Sequence, residues 1–227
     1  MNSKTRTPPD TQMMNIFHAA LRRDLDRAAA AIGASPPPGP VQRVALAQHL
    51  QTLMSRLHGH HAGEDAWLWP TLRAADPSIG GLLDRMEADH LAIAGAMEQV
   101  VAAATEYETS PAGRDGVLHA LSALRGVLDP HLRAEEDEIL PIASATVTQQ
   151  QWTGWEQEFY VGPKSKKDLG LEGMWLVDGA TPAQYDHVVG KVNPLLRFVL
   201  PQVFGPVYRR ECAARWGGDV NVRPGGR

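Results

Sequence analysis

The chain alternates between long stretches rich in alanine and leucine and short clusters of proline and glycine. Strict alternation of apolar and polar residues is almost absent from the long stretches, so the pattern predicts helices and not strands. The predicted helices run from about Thr11 to Ile32, from about Val41 to Ala75, from residues 76–78 to about Glu106, and from about Arg114 to Ala145. Because short connections make consecutive helices antiparallel neighbours, we expect an all-α fold, an up-down-up-down antiparallel four-helix bundle.

Apolar residues recur at helical spacing in each predicted helix, and a histidine interrupts each apolar stripe. The four stripes are Met14, His18, Leu21, Leu25 and Ile32; Leu46, Leu53, Leu57, His60, Glu64 and Trp67; Leu83, Met86, His90, Ile93, Met97 and Val101; and Val117, Leu124, Leu128, His131, Glu135 and Glu138. Since such stripes face the core of a bundle, we expect the four histidines to meet in its interior.

The two halves of this region are related by an internal repeat. Both contain the motif His-x-x-x-Glu, with a proline six residues after the glutamate. The aligned pairs are His60 and His131, Glu64 and Glu135, and Pro70 and Pro141 at a shift of 71 residues, and His18 and His90 at a shift of 72. A period of this length predicts a duplicated helical hairpin.

Composition narrows the class of protein. The 227 residues include 22 Lys and Arg against 26 Asp and Glu, a net charge of -4 that argues against nucleic acid and anionic membranes as partners. The basic segment 209–227 is interpreted as a surface tail. The single cysteine, Cys212, excludes an intramolecular disulfide framework and a cysteine-based zinc site. With no signal peptide and no apolar run long enough for a membrane span, we expect a soluble, cytoplasmic protein.

The histidines and glutamates of the repeat are candidate metal ligands. A histidine and a glutamate four residues apart lie one turn apart on one helix face, so both can reach one point. Four imidazoles and two carboxylates buried together without a metal would be very costly, because an apolar core offers them no partners. Six mixed nitrogen and oxygen donors suit two iron or manganese ions bridged by the carboxylates, whereas one tetrahedral zinc would leave ligands over.

Residues 10–145 resemble the hemerythrin-like family of HHE cation-binding proteins, whose members place these motifs on four antiparallel helices. The resemblance implies a non-haem di-iron centre with bridging carboxylates and an open position for oxygen, peroxide or nitric oxide. The residues at the family's ligand positions are His18, His60, Glu64, His90, His131 and Glu135.

The chain also departs from the oxygen-carrying members of that family. Their fifth histidine, one turn after the third-helix histidine, is replaced here by Ala94. Their final acid corresponds to Glu136, so Glu135 and Glu136 compete for the bridging role, and the internal symmetry favours Glu135. The missing histidine favours redox chemistry or sensing over reversible oxygen carriage. A tyrosine from beyond residue 148 is a further candidate ligand, namely Tyr160, Tyr185 or Tyr208.

The remaining histidines are interpreted as ordinary. His49 lies too far along its helix to share the site and is expected to be a satisfied core or channel residue. Four others are expected to be peripheral, although His61 together with Asp65 is a candidate for orienting the ligands. These four are His58, His61, His119 and His187.

Residues 148–227 differ in composition, with most of the tryptophans and tyrosines and a lysine-rich loop at residues 164–168. We predict a helical extension packed on a bundle of residues 10–147, with helices from about Pro182 to Val192 and from Pro194 to Trp216.

We favour the function of a di-iron protein that reacts with a small oxidant, oxygen or peroxide, in catalase-like chemistry. Manganese is the alternative metal. The alternative is an iron, oxygen or nitric oxide sensor without turnover. A ferritin-like iron store is disfavoured, because those sites use Glu-x-x-His and more glutamate than histidine.

Overall fold

The computed structural model describes residues 7–217, without the side chains of residues 194–196, 198 and 200. In this part all regular structure is helical, as predicted, and no helix is both long enough and apolar enough to span a membrane. Of the segment 209–227 that was interpreted as a surface tail, residues 218–227 lie outside this part. The interpretation is wrong for its first half, because residues up to Trp216 continue the last α-helix and Cys212 is fully buried in the core. The α-helices are α1 (Gln12–Ile32), α2 (Pro40–Gly63), α3 (Trp69–Ala75), α4 (Gly80–Thr109), α5 (Arg114–Ala134), α6 (Leu140–Thr146), α7 (Gln149–Trp155), α8 (Lys166–Val177), α9 (Pro182–Gly190) and α10 (Pro194–Trp216).

Two of the long predicted helices contain a π-helical turn, which the sequence analysis did not anticipate. Glu64–Leu68 joins α2 to α3, and Glu135–Ile139 joins α5 to α6. In each turn the carbonyl of the glutamate accepts a hydrogen bond from the N–H five residues later. Pro70 and Pro141 favour the wider turn, because proline lacks an N–H and its ring clashes with the carbonyl four residues earlier. The proline of the repeat therefore accompanies a π turn in both halves.

The π turns shift the inward-facing stripe by one position, because a π turn closes over one more residue than an α turn. Leu68 and Ile139 are fully buried. The predicted Trp67 is only half-buried, and the predicted Glu138 is 48% exposed and pairs with Arg85. The expectation that Glu138 faces the core is therefore wrong, whereas Trp67 packs against the second apolar cluster, as expected.

Two apolar clusters form the core, and the stripe histidines lie at their junction. One cluster includes Leu25, Leu50 and Leu121, and the other includes Met14 and Met86. On each helix the residues flanking the histidine belong to these clusters, so the histidine layer is enclosed on both sides by apolar side chains.

One stripe position of α4 is also corrected. Val100 is fully buried, whereas the predicted Val101 is 37% exposed.

Contacts between helix ends relate the long helices to one another. The Nε of Arg114, at the start of α5, donates a hydrogen bond of 2.7 Å to the carbonyl of Ile32, at the end of α1. Gln48, in the first half of α2, donates one of 2.9 Å to Glu108, at the end of α4. The end of α1 therefore adjoins the start of α5, and the first half of α2 adjoins the end of α4.

The extension packs directly on the long helices. Helices α8 and α10 contact α1 and α2, and aromatic residues from the extension enter both apolar clusters. These buried residues are Trp152, Trp155, Trp175 and Tyr208. Helices α9 and α10 match the predicted ones, whereas α7 and α8 were not predicted. Thr148 and Ser165 cap their N-termini by accepting backbone hydrogen bonds, a signal that the sequence contained.

Candidate metal centre

Six side chains from the long helices converge at the junction of the two clusters, and each exposes at most 5% of its surface. They are the six ligands predicted from the sequence: His18, His60, Glu64, His90, His131 and Glu135. Ligand atoms of His18, His60 and Glu135 lie within 4.8 Å of one another. The same holds for Glu64, His90 and Glu135. Glu135 belongs to both groups, and Nε2 of His131 lies 3.3 Å from Glu135 Oε1, so the six residues form one continuous cluster.

The four imidazoles form two pairs. Nε2 of His18 lies 3.2 Å from Nε2 of His60, and Nε2 of His90 lies 3.1 Å from Nε2 of His131. Two ligands that occupy adjacent positions on an octahedral ion, each about 2.1 Å from it, stand about 3 Å apart. Each pair therefore has the spacing of two ligands on one ion.

The two carboxylates reach from one imidazole pair to the other. Each glutamate places one oxygen near an imidazole of each pair. The distances are 3.3 Å from Glu64 Oε1 to His60 Nε2, 3.7 Å from Glu64 Oε2 to His90 Nε2, 3.3 Å from Glu135 Oε2 to His18 Nε2 and 3.3 Å from Glu135 Oε1 to His131 Nε2. Both glutamates thus lie where a bridging ligand would lie.

The carboxylate oxygens have imidazole neighbours but, in the described part of the chain, no hydrogen bonds. Within residues 7–217, no group donates a hydrogen bond to either oxygen of Glu64 or Glu135, although all four oxygens are buried. A buried polar group without a hydrogen bond costs about 1–3 kcal/mol. A pair of cations between the imidazole pairs would remove this penalty, so the donor set fits metal ions.

The clustered residues lie in a segment that matches a known protein family. A family model, the hemerythrin HHE cation-binding domain, matches residues 10–143, more than half of the chain. The chain belongs to the hemerythrin family. The matched segment contains all six clustered residues and ends before the extension. No curated protein and no solved structure matches the chain.

Acidic residues accept hydrogen bonds from Nδ1 of two of the clustered histidines and so orient their rings. Nδ1 of His18 donates to Glu136 at 2.9 Å, and Nδ1 of His90 donates to Asp65 at 2.6 Å. Each acid directly follows a clustered glutamate, so the repeat includes this contact. Donation from Nδ1 leaves the lone pair of Nε2 free for a metal. Glu136, which also accepts a hydrogen bond from Arg22 at 2.7 Å, faces the ring nitrogen of His18 that points away from the cluster.

The charges of the metal-free cluster follow from burial and proximity. Burial raises the pKa of Glu64 well above its usual range, and the nearby charge of Glu135 raises it further. Burial also acts to raise the pKa of Glu135, but the proximity of His131 outweighs it, and the net pKa lies below the usual range. The pKa of His131 is correspondingly raised, since Glu135 outweighs burial. Glu64 is therefore neutral without metal, and cation binding must displace protons.

The extension covers the end of α2 beside the cluster. The hydroxyl of Tyr160 donates to the carbonyl of His60 at 3.0 Å, and Nε1 of Trp155 donates to the carbonyl of Gly63 at 2.9 Å. Tyr160 lies in a third π turn, Glu156–Val161. Burial raises the pKa of Tyr160 well above its usual range, so its hydroxyl remains protonated. Sequence reasoning could not have found these contacts, because they join residues about a hundred positions apart.

The other two candidate tyrosines lie elsewhere. Tyr208 donates to Asp178 at 3.0 Å, next to α1. Tyr185 lies in α9, whose main contacts are with α1 and α8. Tyr160 is thus the one of the three that the structure places beside the cluster.

The remaining histidines divide between core and surface. His49 lies in the core, where its Nε2 donates to Asp24 at 2.8 Å, as expected for a satisfied buried histidine. His58 and His119 are exposed, as predicted. The expectation for His61 is wrong, because this residue is only 5% exposed and its ring stacks on His90. The fourth, His187, is partly exposed and lies 3.3 Å from Asp10.

Proposed function

We propose that this hemerythrin domain holds two iron ions, one at each imidazole pair, bridged by the two glutamates. The observation that carries the proposal is that each carboxylate lies 3.3–3.7 Å from an imidazole of both pairs. Manganese is the alternative metal, since it accepts the same donors. The proposed ligands are His18, His60, Glu64, His90, His131 and Glu135, with Glu136 outside the set because it binds Nδ1 of His18.

The proposed architecture is an up-down-up-down antiparallel bundle over residues 10–147, with the extension 148–227 packed on it. The contact between Arg114 and Ile32 supports this arrangement, because it joins the start of one long helix to the end of another. We further propose a cytoplasmic location, in keeping with a single buried cysteine, Cys212.

The proposed reaction is the catalase-like conversion of two molecules of hydrogen peroxide to dioxygen and two molecules of water. Bound iron would supply the oxidation and reduction of a small oxidant. The chain holds the donors in a layer that apolar clusters shield from bulk water on both sides. Asp65 and Glu136 hold the Nδ1 protons of His90 and His18, so the metal-facing nitrogens stay available.

Metal analysis combined with optical spectroscopy tests this function. Aerobically purified, iron-loaded protein should contain two irons per chain, show the absorption of a bridged di-iron centre, and evolve oxygen from added peroxide. His60→Ala and His131→Ala should lose iron, whereas His119→Ala, which changes an exposed histidine of α5, should retain it. Less than one iron or manganese per chain, or unchanged metal content in the first two variants, would contradict the proposal.

A sensor without turnover is the second candidate function. It is favoured by the hydrogen bonds from Tyr160 and Trp155 to the carbonyls of His60 and Gly63, because these bonds connect the extension to a ligand-bearing helix. Metal occupancy would then alter the packing of the extension. Limited proteolysis with and without iron tests this idea, and equal cleavage of the extension under both conditions would count against it.

A further inference from the structure

A chain of aromatic rings leads from the clustered histidines towards the protein surface. The ring of Tyr160 has its centroid 6.0 Å from that of His60 and 5.1 Å from that of Trp155. Trp155 in turn stacks on Trp67, with centroids 5.5 Å apart and planes inclined by 19°. Each step lies within the range of aromatic rings in contact. These four rings, called the aromatic chain below, are therefore continuous from a proposed ligand to Trp67.

Trp67 is the outer end of the aromatic chain. Trp155 is buried, whereas Trp67 is partly exposed. A third tryptophan, Trp152, also contacts Trp155, with centroids 4.7 Å apart, but it is fully buried. Of these three indoles, Trp67 is thus the one that a molecule in solution can touch.

The internal repeat shows that position 67 does not require an aromatic side chain. Trp67 lies in the first π turn, and the matching residue of the second π turn is Glu138. Glu138 is 48% exposed and pairs with Arg85. An indole stands at this position only in the half against which the extension places Trp155. The side chain of Trp67 therefore belongs to the contact between that half and the extension.

Indole rings are suited to pass on single electrons. Tryptophan is among the most easily oxidised side chains, and its ring can lose an electron while the N–H proton stays in place. Nε1 of Trp155 holds its proton in the hydrogen bond to the carbonyl of Gly63. Tyr160 is less suited, because its hydroxyl donates to a carbonyl, which is too weak a base to take the proton that an oxidised phenol releases. An electron from Trp155 therefore crosses the ring of Tyr160 without oxidising it.

We propose that Trp67 and Trp155 carry single electrons from a donor at the surface to the metal layer, which gives the protein a peroxidase activity towards donors that cannot enter it. This inference rests on the proposed di-iron function. Because the six clustered residues each expose at most 5% of their surface, a bulky donor does not reach them directly.

The proposed reaction is balanced by two donor molecules for each peroxide. One molecule of hydrogen peroxide takes up two electrons and, from solvent, two protons, and its O–O bond breaks to give two molecules of water. Each electron leaves Trp155 for the metal layer and is replaced from Trp67. A donor molecule at the surface then returns one electron to Trp67 and is itself oxidised.

The test follows a donor and the tryptophans themselves in iron-loaded protein that is treated with peroxide. The donor is ferrocyanide, a bulky and highly charged ion that gives up one electron. Trp67→Phe keeps an aromatic ring that resists oxidation, and Trp67→Tyr restores an oxidisable one. Trp216→Phe is the matched control, because Trp216 is also partly exposed but contacts His49, away from the aromatic chain. Electron paramagnetic resonance of freeze-quenched samples detects tryptophan radicals, and peptide mass spectrometry locates oxidised side chains.

We expect the wild type to form a tryptophan radical that ferrocyanide quenches and, without ferrocyanide, to become oxidised at Trp67. Trp67→Phe should keep a buried radical that ferrocyanide no longer quenches, and it should lose the oxidation of ferrocyanide. Trp67→Tyr should regain this oxidation, and Trp216→Phe should match the wild type. In Trp155→Phe, Trp67 is still present but should no longer become oxidised, a result that a purely structural role of Trp155 would not produce.

Iron content and oxygen evolution from peroxide alone separate this inference from the proposed function. Both should be unchanged in the Trp67 variants, because peroxide reaches the metal layer itself. The electron route is overturned, while the di-iron function stands, if iron-loaded wild type forms no tryptophan radical, if Trp67→Phe oxidises ferrocyanide as fast as the wild type, or if Trp155→Phe still becomes oxidised at Trp67. If the wild type fails to hold two irons, the proposed function and this inference are both overturned.

Discussion

Oε1 of Glu136 lies 2.9 Å from Nδ1 of His18. Because this contact fixes the tautomer and the ring orientation of a proposed ligand, we expect Glu136→Ala to weaken iron binding by about 10–100-fold without unfolding the protein. Competition with a chelator of known affinity measures the change. Glu138→Ala removes an exposed acid two residues further on and should leave the affinity unchanged. Equal affinities in the two variants would show that Glu136 does not position His18.

A substitution at Glu64 should change metal affinity without changing the stability of the metal-free protein. Burial keeps its pKa well above the usual range, so the side chain is already neutral without metal. We expect Glu64→Gln to change the metal-free free energy of unfolding by less than about 1 kcal/mol, since it replaces one neutral group by another of the same shape. The variant should lose the stabilisation by metal, which for the wild type is about 2.7 kcal/mol at a free metal concentration 100 times the Kd.

Thermal unfolding with and without iron measures both quantities for Glu64. Since Glu64 must lose its proton to bind a cation, metal affinity should also fall as the pH decreases through this raised pKa. A Glu64→Gln protein that gains as much from iron as the wild type would contradict the bridging role.

Much of the cluster was predictable because duplication and helical periodicity act together. His60 and Glu64 lie on one helix face by spacing alone, and their repetition as His131 and Glu135 identifies the second pair. His61 was not predictable in the same way. A residue adjacent to a core position lies about 100° around the helix, and only the surrounding helices decide whether that direction is solvent or core.

The π turns were missed for a different reason. Apolar residues keep helical spacing before and after each π turn. The additional residue in the turn changes only which positions face the core after it. Pro70 and Pro141 were the available signal, because a proline inside a long apolar helix requires a local irregularity. The contact of Trp155 with Gly63 spans 92 positions and had no local signal at all.

Gly63 permits the close approach of the extension. A Cβ at this position would lie 2.7 Å from the hydroxyl of Tyr160 and 3.1 Å from Cβ of Phe159. The matching residue in the second half is Ala134, where the chain does carry a Cβ. We expect Gly63→Ala to destabilise the protein by about 1–3 kcal/mol through overpacking.

Urea unfolding followed by tryptophan fluorescence measures the effect of Gly63→Ala. Gly59→Ala, one turn earlier in α2, is the matched control, because no heavy atom lies within 4 Å of its added Cβ. That change should stabilise the helix by up to about 1 kcal/mol. If both alanine variants are equally stable, the extension does not pack closely enough on Gly63 to exclude a Cβ.

His49 makes the stability of the fold sensitive to mild acid. Burial lowers its pKa, while the carboxylate of Asp24 that accepts its hydrogen bond only partly compensates. The unfolded chain takes up a proton at His49 near pH 6.5, and the folded chain does so only at lower pH because the pKa of the buried side chain is lowered, so stability falls as the pH drops below about 6.5. The largest slope from one such group is about 1.4 kcal/mol per pH unit.

The variant His49→Gln isolates this contribution, because glutamine can donate to Asp24 but cannot titrate. Denaturant unfolding of the metal-free protein should show wild type as the more stable form at pH 7.5, with the difference narrowing by up to about 1.4 kcal/mol per pH unit between pH 6.5 and 5.5. Asp24 does not interfere, since burial raises its pKa but the contacts with His49 and Arg23 lower it more, and its contribution is lost only below about pH 4. His119→Gln, at an exposed position, should follow the wild type throughout. If the free energies of unfolding of the wild type and His49→Gln change in parallel with pH, His49 takes up a proton as readily in the folded chain as in the unfolded chain. The buried pair of His49 and Asp24 is then not the origin of the acid sensitivity.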